Sequence, residues 1–309
     1  MQTPIRNFEE TKTVTASSLI PFNVNSYNVI RDLIIEFKNG TSAATLAACQ
    51  TAITRVVVLL NGINVLDVPF QKLIDLHAFL GTRIQQSTLV NVFSLNMGRL
   101  MYQAGILRDE FAWRCGKSGN MDPAKKISSL VVQVYTGATI TGVTDVNLYS
   151  VRKNVEADWN DSYVQFNNNV ISYNATGQSQ VNTLPKNAAD LFLCAIAYNG
   201  TTGVISSGET LVNNVNIARN ISAATNDAMN QLDGYGVISG AFVHNYCDGM
   251  ANSGLYISDI ASELSVRTTF TTAPTNSYDL TVLKVHNCPA KIVGLNQSDS
   301  LLALDTINA

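Results

Sequence analysis

Short runs of Val, Ile, Thr, Tyr and Phe recur along the chain, separated by Gly, Asn, Asp and Ser. Several alternate: Leu130, Val132 and Val134 fall on one side of an extended backbone, Val131 and Gln133 on the other. A side-chain period of two and enrichment in β-branched and aromatic residues predict strands over 29–38, 53–60, 89–95, 129–136, 190–198, 236–246 and 263–271. Asn61-Gly62 and Asn199-Gly200 each follow an apolar run directly and predict tight turns. Two stretches carry a helical period instead. Over 67–81, Leu73, Ile74, His77 and Leu80 share a face; Asp67 suits the N-cap, Pro69 the first turn and Gly81 the stop. Over 222–234, Ser222 suits the cap and Gly234 the stop.

The pattern is written twice. Asp145–Lys153 (DVNLYSVRK) aligns with 279–287 (DLTVLKVHN), a shift of 134 residues from Asp145 to Asp279. Val146 meets Leu280, Leu148 meets Val282 and Val151 meets Val285. Tyr135-Thr136-Gly137-Ala138 faces Phe270-Thr271-Thr272-Ala273 at nearly the same shift. So long a period excludes a solenoid and suits two copies of a β-sandwich domain of ~100–150 residues. The expected link is the polar stretch 154–161, giving an N-terminal arm and first strand approach over 1–26, a first barrel over 27–157, a second over 158–290 and a C-terminal segment over 291–309. Residues 1–18 are expected to lie outside the barrels. The last segment is expected to dock on its own barrel or a neighbour, since Leu301, Leu302, Leu304 and Ile307 are too apolar for a free tail.

Composition narrows the function. In 309 residues, 46% are hydrophobic and 14% charged, which favours a large core over disorder. Net charge is −3, with no block of Lys or Arg, so the footprint of a sequence-specific nucleic-acid binder is missing. The polar N-terminus does not read as a signal peptide, so the five scattered cysteines are expected as free thiols made in a reducing cytoplasm.

Candidate chemistry is weak throughout. Gly116-Lys117-Ser118 suggests a phosphate loop, but Phe111 stands where its first glycine belongs. In Gly234-Tyr235-Gly236-Val237-Ile238-Ser239-Gly240 the third glycine of a dinucleotide loop comes one residue late, and a strand is expected where that loop needs a helix. Val237 also occupies the glycine position of a nucleophile elbow around Ser239. His244, Cys247, His286 and Cys288 would satisfy zinc chemically, yet they come from different strands, and alternation sends neighbours to opposite faces. Trp113 and Trp159 could stack on a sugar. No catalytic residue, cofactor or metal is assigned.

The paired strand–helix–strand halves resemble the double jelly-roll major capsid proteins of tailless icosahedral viruses. The resemblance is carried by 33–37 (LIIEF), 55–62 (RVVVLLNG), the helix at 69–80 and the two Asp-led strands. It is architectural and covers nearly the whole chain; the compact length looks most like capsid proteins of lipid-containing bacteriophages such as those infecting Flavobacterium. It implies a mainly β fold of two tandem eight-stranded jelly-roll barrels, with one short helix in each half. It further implies a homotrimer acting as a pseudo-hexagonal capsomer, built in the host cytoplasm into a virion. Implied partners are neighbouring capsomers, a penton or minor capsid protein and an internal lipid membrane. A carbohydrate-binding or adhesive jelly-roll protein is the alternative, and a β-sandwich hydrolase is third.

Overall fold

The structure is a computed structural model that describes residues 5–81, 91–95, 112–181, 184, 189–246, 255–256 and 263–288. It divides into two compact units, Met1–Asn167 and Asn168–Ala309. The expected link at 154–161 falls a few residues before that boundary. The C-terminal segment 291–309 and residues 96–111 lie outside the described residues.

In chain order the first unit contains β1 (Ile5–Thr13), β2 (Leu19–Asn23), β3 (Val29–Asn39), β4 (Ser42–Ala43), α1 (Leu46–Ala52), β5 (Ile53–Leu60), β6 (Ile63–Pro69) and α2 (Phe70–Gly81). There follow β7 (Val92–Ser94), β8 (Trp113–Arg114), β9 (Leu130–Thr136) and β10 (Asp145–Lys153). The strand β11 (Tyr163–Ser172) holds the boundary between the units. The second unit continues with β12 (Gly177–Val181), β13 (Leu191–Tyr198), β14 (Ile205–Val212), β15 (Val215–Ser222), α3 (Ala223–Leu232), β16 (Ala241–Asn245), β17 (Leu255–Tyr256), β18 (Leu264–Phe270) and β19 (Ser277–His286).

Each unit is a jelly roll, two sheets whose strands alternate along the chain. The first unit pairs β1-β10-β3, with β4, β7 and β8 as short strands on β3, and β2-β9-β5-β6. The second pairs β11-β19-β13-β16 and β12-β18-β14-β15. The duplicated Asp-led strands, β10 and β19, are the last strand of each barrel and lie between its first and third. Even the register is duplicated. Asp145, Val146 and Leu148 face Lys38, Phe37 and Ile35; their counterparts Asp279, Leu280 and Val282 face Tyr198, Ala197 and Ala195. One side moves by 134 positions (145 to 279), the other by 160 (38 to 198).

The hairpins β5–β6 and β14–β15 repeat in the same way. Leu60↔Ile63, Leu59↔Asn64 and Val58↔Leu66 become Val212↔Val215, Leu211↔Asn216 and Thr210↔Ala218, with a register break at the same step. Both turns place two residues at positive φ, Asn61 and Gly62 (49° and 82°) and Asn213 and Asn214 (50° and 65°). Such turns twist in the sense the strands need, and asparagine and glycine tolerate them best.

Apolar alternation buries one face of each sheet. In the first core Phe70 meets Phe37 and Phe93 edge to face, with centroids 5.2 and 5.1 Å apart, and Phe37 and Phe93 lie tilted at 6.1 Å. In the second, Phe192, Phe242, Phe270, Leu264, Val266 and Leu280 form the cluster.

Three sequence expectations change. Residues 5–13 are not an arm, because β1 pairs with β10 from Ile5↔Arg152 to Thr13↔Asp145. Asp67 does not cap α2: it lies in β6, where both its carboxylate oxygens accept from Arg55 of β5 at 2.7 Å, and pairing carries the strand through Pro69. The first unit also holds a second helix. Thr45 caps α1, its hydroxyl accepting from the Ala48 amide at 3.2 Å. Among the described residues no helix is long and apolar enough to cross a membrane.

Candidate functional site

The sequence motifs do not assemble into a reactive centre. His244 on β16 sits opposite Ala195 of β13, whereas His286 ends β19, the strand on the other side of β13. They are separated by two strand spacings of ~4.8 Å and several residues along the strands. His244 is buried, with Nδ1 3.3 Å from the Thr210 hydroxyl and its ring against Phe242; burial pulls its pKa down to about 3. The Cys288 thiol is buried, and Cys247 lies outside the described residues. Among the described residues no three His, Cys, Asp or Glu side chains are grouped to hold a metal.

Residues of the Gly116-Lys117-Ser118 loop are occupied by their own chain. The Gly116 amide donates to Ala157 O, Ser118 donates from amide and hydroxyl to Glu156, and Lys117 lies 3.7 Å from Asp158. A phosphate would have to displace those carboxylates. Gly234 (φ +82°) ends α3, and 237–240 lead into β16. They help line a cavity of about 450 Å³ beside the start of α3, with Thr202, Ile205, Ala223 and Asp227. Burial raises the Asp227 pKa. Trp113 is fully buried; Trp159 is 8% exposed and stacked on Tyr163 with centroids 6.0 Å apart. Neither indole offers an open face to a sugar.

Two buried charge clusters, which the sequence reading missed, tie down the last strand of each barrel. In the first, Arg152 is fully buried. It donates to Glu9, Ser150 and the carbonyls of Asn25 and Tyr27, each at 2.8 Å, and lies 4.1 Å from the Tyr27 ring centroid. Ser150 also donates to Glu9. In the second, Asp190 accepts from Lys284 at 2.7 Å and lies 3.1 Å from His286 Nδ1. Positions 150 and 152 shifted by 134 are 284 and 286, so the clusters occupy corresponding places with different side chains. Polar residues inside the duplicated strands are the signal that could have found them.

The remaining candidate surfaces are strand edges and a helix face. Among the described residues β1 and β15 each end their sheets. On α3 the buried residues are polar. Asn226 donates to Val243 O at 3.0 Å, and Asn230 accepts from Asn245 at 3.1 Å. Met229 and Leu232 are 49% and 87% exposed. This inverts ordinary amphipathicity.

No family model and no curated protein sequence matches the chain. Solved structures do. The major capsid protein P2 of bacteriophage PM2 matches at 13% identity with a TM-score of 0.71, over 91% of this chain and 97% of that one. The major capsid protein of Sulfolobus turreted icosahedral virus matches at 11% identity and 0.63, over 94% and 98%. That of Faustovirus matches at 7% and 0.54, over 92% and 90%. The coverage takes in both barrels, and the chain has the double jelly-roll fold of these viral major capsid proteins.

Proposed function

We propose that this chain is the major capsid protein of an icosahedral virus and that three copies close into a pseudo-hexagonal capsomer. The observation that carries the reading is the duplicated register: one chain holds two barrels of the same strand order, so three chains supply six. Closed rotational symmetry is the rule for soluble oligomers. Duplication within one gene frees the halves to diverge, and each can then meet different neighbours. Low charge suits extensive neutral contacts, since unpaired charge buried between subunits is costly. The role is structural, without catalysis, cofactor or sequence-specific nucleic-acid contact. The partners are further copies of the chain and a separate protein at five-fold positions, where a six-barrel ring does not fit. The resemblance to membrane-containing phages adds lipid beneath the shell. Synthesis is in the host cytoplasm, and the mature location is the virion.

Native mass spectrometry tests the reading. The expected species is three times the 33.4 kDa chain. Negative-stain microscopy of concentrated protein should give hexagonal arrays. A stable monomer at low micromolar concentration overturns it.

A further inference from the structure

The hairpins β5–β6 and β14–β15 match at a shift of 152 positions, so β6 and β15 are equivalent strands. Their outer edges differ. Inside the first unit, the edge of β6 is taken by the opening residues of β11, which run parallel to it as Leu66↔Phe166 and Asp67↔Asn167. The edge of β15 has no strand beside it among the described residues.

β11 and β1 are equivalent in turn. Each opens a barrel and neighbours its last strand. Asn168 exchanges hydrogen bonds with Asp279 and Thr281; Thr11 and Thr13 bond to Asn147 and Asp145, the same strand positions 134 residues earlier. Asn168 thus faces the positions that Thr11 and Thr13 face, and setting it on Thr11, which aligns the two phenylalanines, sets Asn167 on Glu10. Phe166 then matches Phe8, with Glu9 as the extra residue where the β1 register breaks. β1 too has an open outer edge among the described residues. It carries exposed Ile5 and Phe8, the latter 59% exposed. Around the β15 edge, Val215 and Ile217 are exposed, and so are Met229 and Leu232 of α3. Bare strand edges of this length recruit further strands, and apolar side chains on both edges strengthen the pairing.

We propose that β15 of one copy pairs in parallel with β1 of a second copy, repeating between chains the pairing that β6 makes with β11. The expected backbone register sets position 218 against Phe8 and position 219 against Glu10. The two surfaces differ, so the contact is head to tail. It forms a closed ring when the rotation per copy divides a full turn. The inference rests on the trimer proposed above and identifies its contact.

A Phe8→Cys/Ala218→Cys double variant, treated with a short bis-maleimide, tests the pairing. The other described cysteines are buried. The double variant should give covalent dimers and trimers on a denaturing gel, and each single variant only the wild-type background. Trimer by native mass without cross-linking above that background overturns the edge pairing and leaves the trimer standing. Monomer by native mass overturns both. Phe8→Lys is a second handle, since that side chain is largely exposed within its own chain. It should leave the melting temperature of the isolated chain unchanged and raise the trimer dissociation constant at least tenfold. An unchanged constant overturns the pairing.

Discussion

α2 and α3 occupy the same place in their barrels, directly after the equivalent strands β6 and β15, and bury opposite kinds of residue. α2 packs Phe70, Leu73, Leu76 and Phe79 into its core, with Phe70 edge-on to Phe37 and Phe93. α3 turns asparagines inward, anchors them to β16, and leaves Met229 and Leu232 exposed. Backbone pairing has therefore been kept to the residue between the two halves while side-chain chemistry has diverged. A one-residue slip in register would move every side chain of a strand to the wrong face, so pairing resists change. A helix that packs by one face carries no such constraint.

The largest expected effect sharpens this contrast at the chain start. Deleting residues 1–13 removes β1 together with Glu9, the partner of Arg152, and the first unit should lose its cooperative melting transition in calorimetry. Wild-type melting would make those residues a dispensable arm. Arg152→Ala leaves Glu9 facing a vacated buried site and should cost about 3–5 kcal/mol in urea unfolding. At the corresponding position, His286→Ala leaves Asp190 with Lys284 and should cost about 1 kcal/mol or less. Equal losses would mean the two clusters have not diverged in weight.

The helices themselves offer the next test. Leu76→Ala should cost about 2–5 kcal/mol through its cavity. Leu232→Ala should change the stability of the isolated chain by no more than about 0.5 kcal/mol, as at other exposed positions. A large loss at Leu232 would mean that α3 packs by its outer face within its own chain.

Acid gives a smaller, graded effect. His77 of α2 has Nε2 3.0 Å from Ser94 O and its ring edge-on to Phe93; burial lowers its pKa from 6.5 to about 4. His244 falls further, to about 3. Each is neutral when folded and binds a proton more readily when unfolded. The stability they contribute is therefore complete above pH 6.5 and is lost as pH falls toward those folded values. At pH 5, His244 alone should account for about 2 kcal/mol. Melting temperatures measured from pH 7.5 to 4.5 should show this slope, and His244→Leu should flatten it. An unchanged slope would assign the acid sensitivity to other groups.

Much of the fold was legible in the sequence because alternation reports burial directly. The strand at 53–60, the turn at Asn61-Gly62, the cap at Ser222 and the paired Asp-led strands stand where the pattern puts them. The first strand was not legible. IRNFEETKT carries too many charged and polar residues for a half-buried pattern, and it is held by pairing with β10 and by a buried arginine more than a hundred residues away. Asp67 was misassigned for a related reason: an acidic residue before a helix reads as a cap, and only the hairpin brings Arg55 alongside it. α1 was missed because seven residues show too little period.

By itself the sequence determined the repeat, the β class and the absence of any recognisable catalytic motif, since local pattern and spacing suffice for these. Tertiary structure decided which polar residues are buried together, that position 152 holds a carboxylate and position 286 shares one with a lysine, and which strand edges end their sheets. Those outcomes depend on contacts between residues far apart in the chain. Local hydrophobicity carries no record of which distant residue will supply the compensating charge or the missing strand.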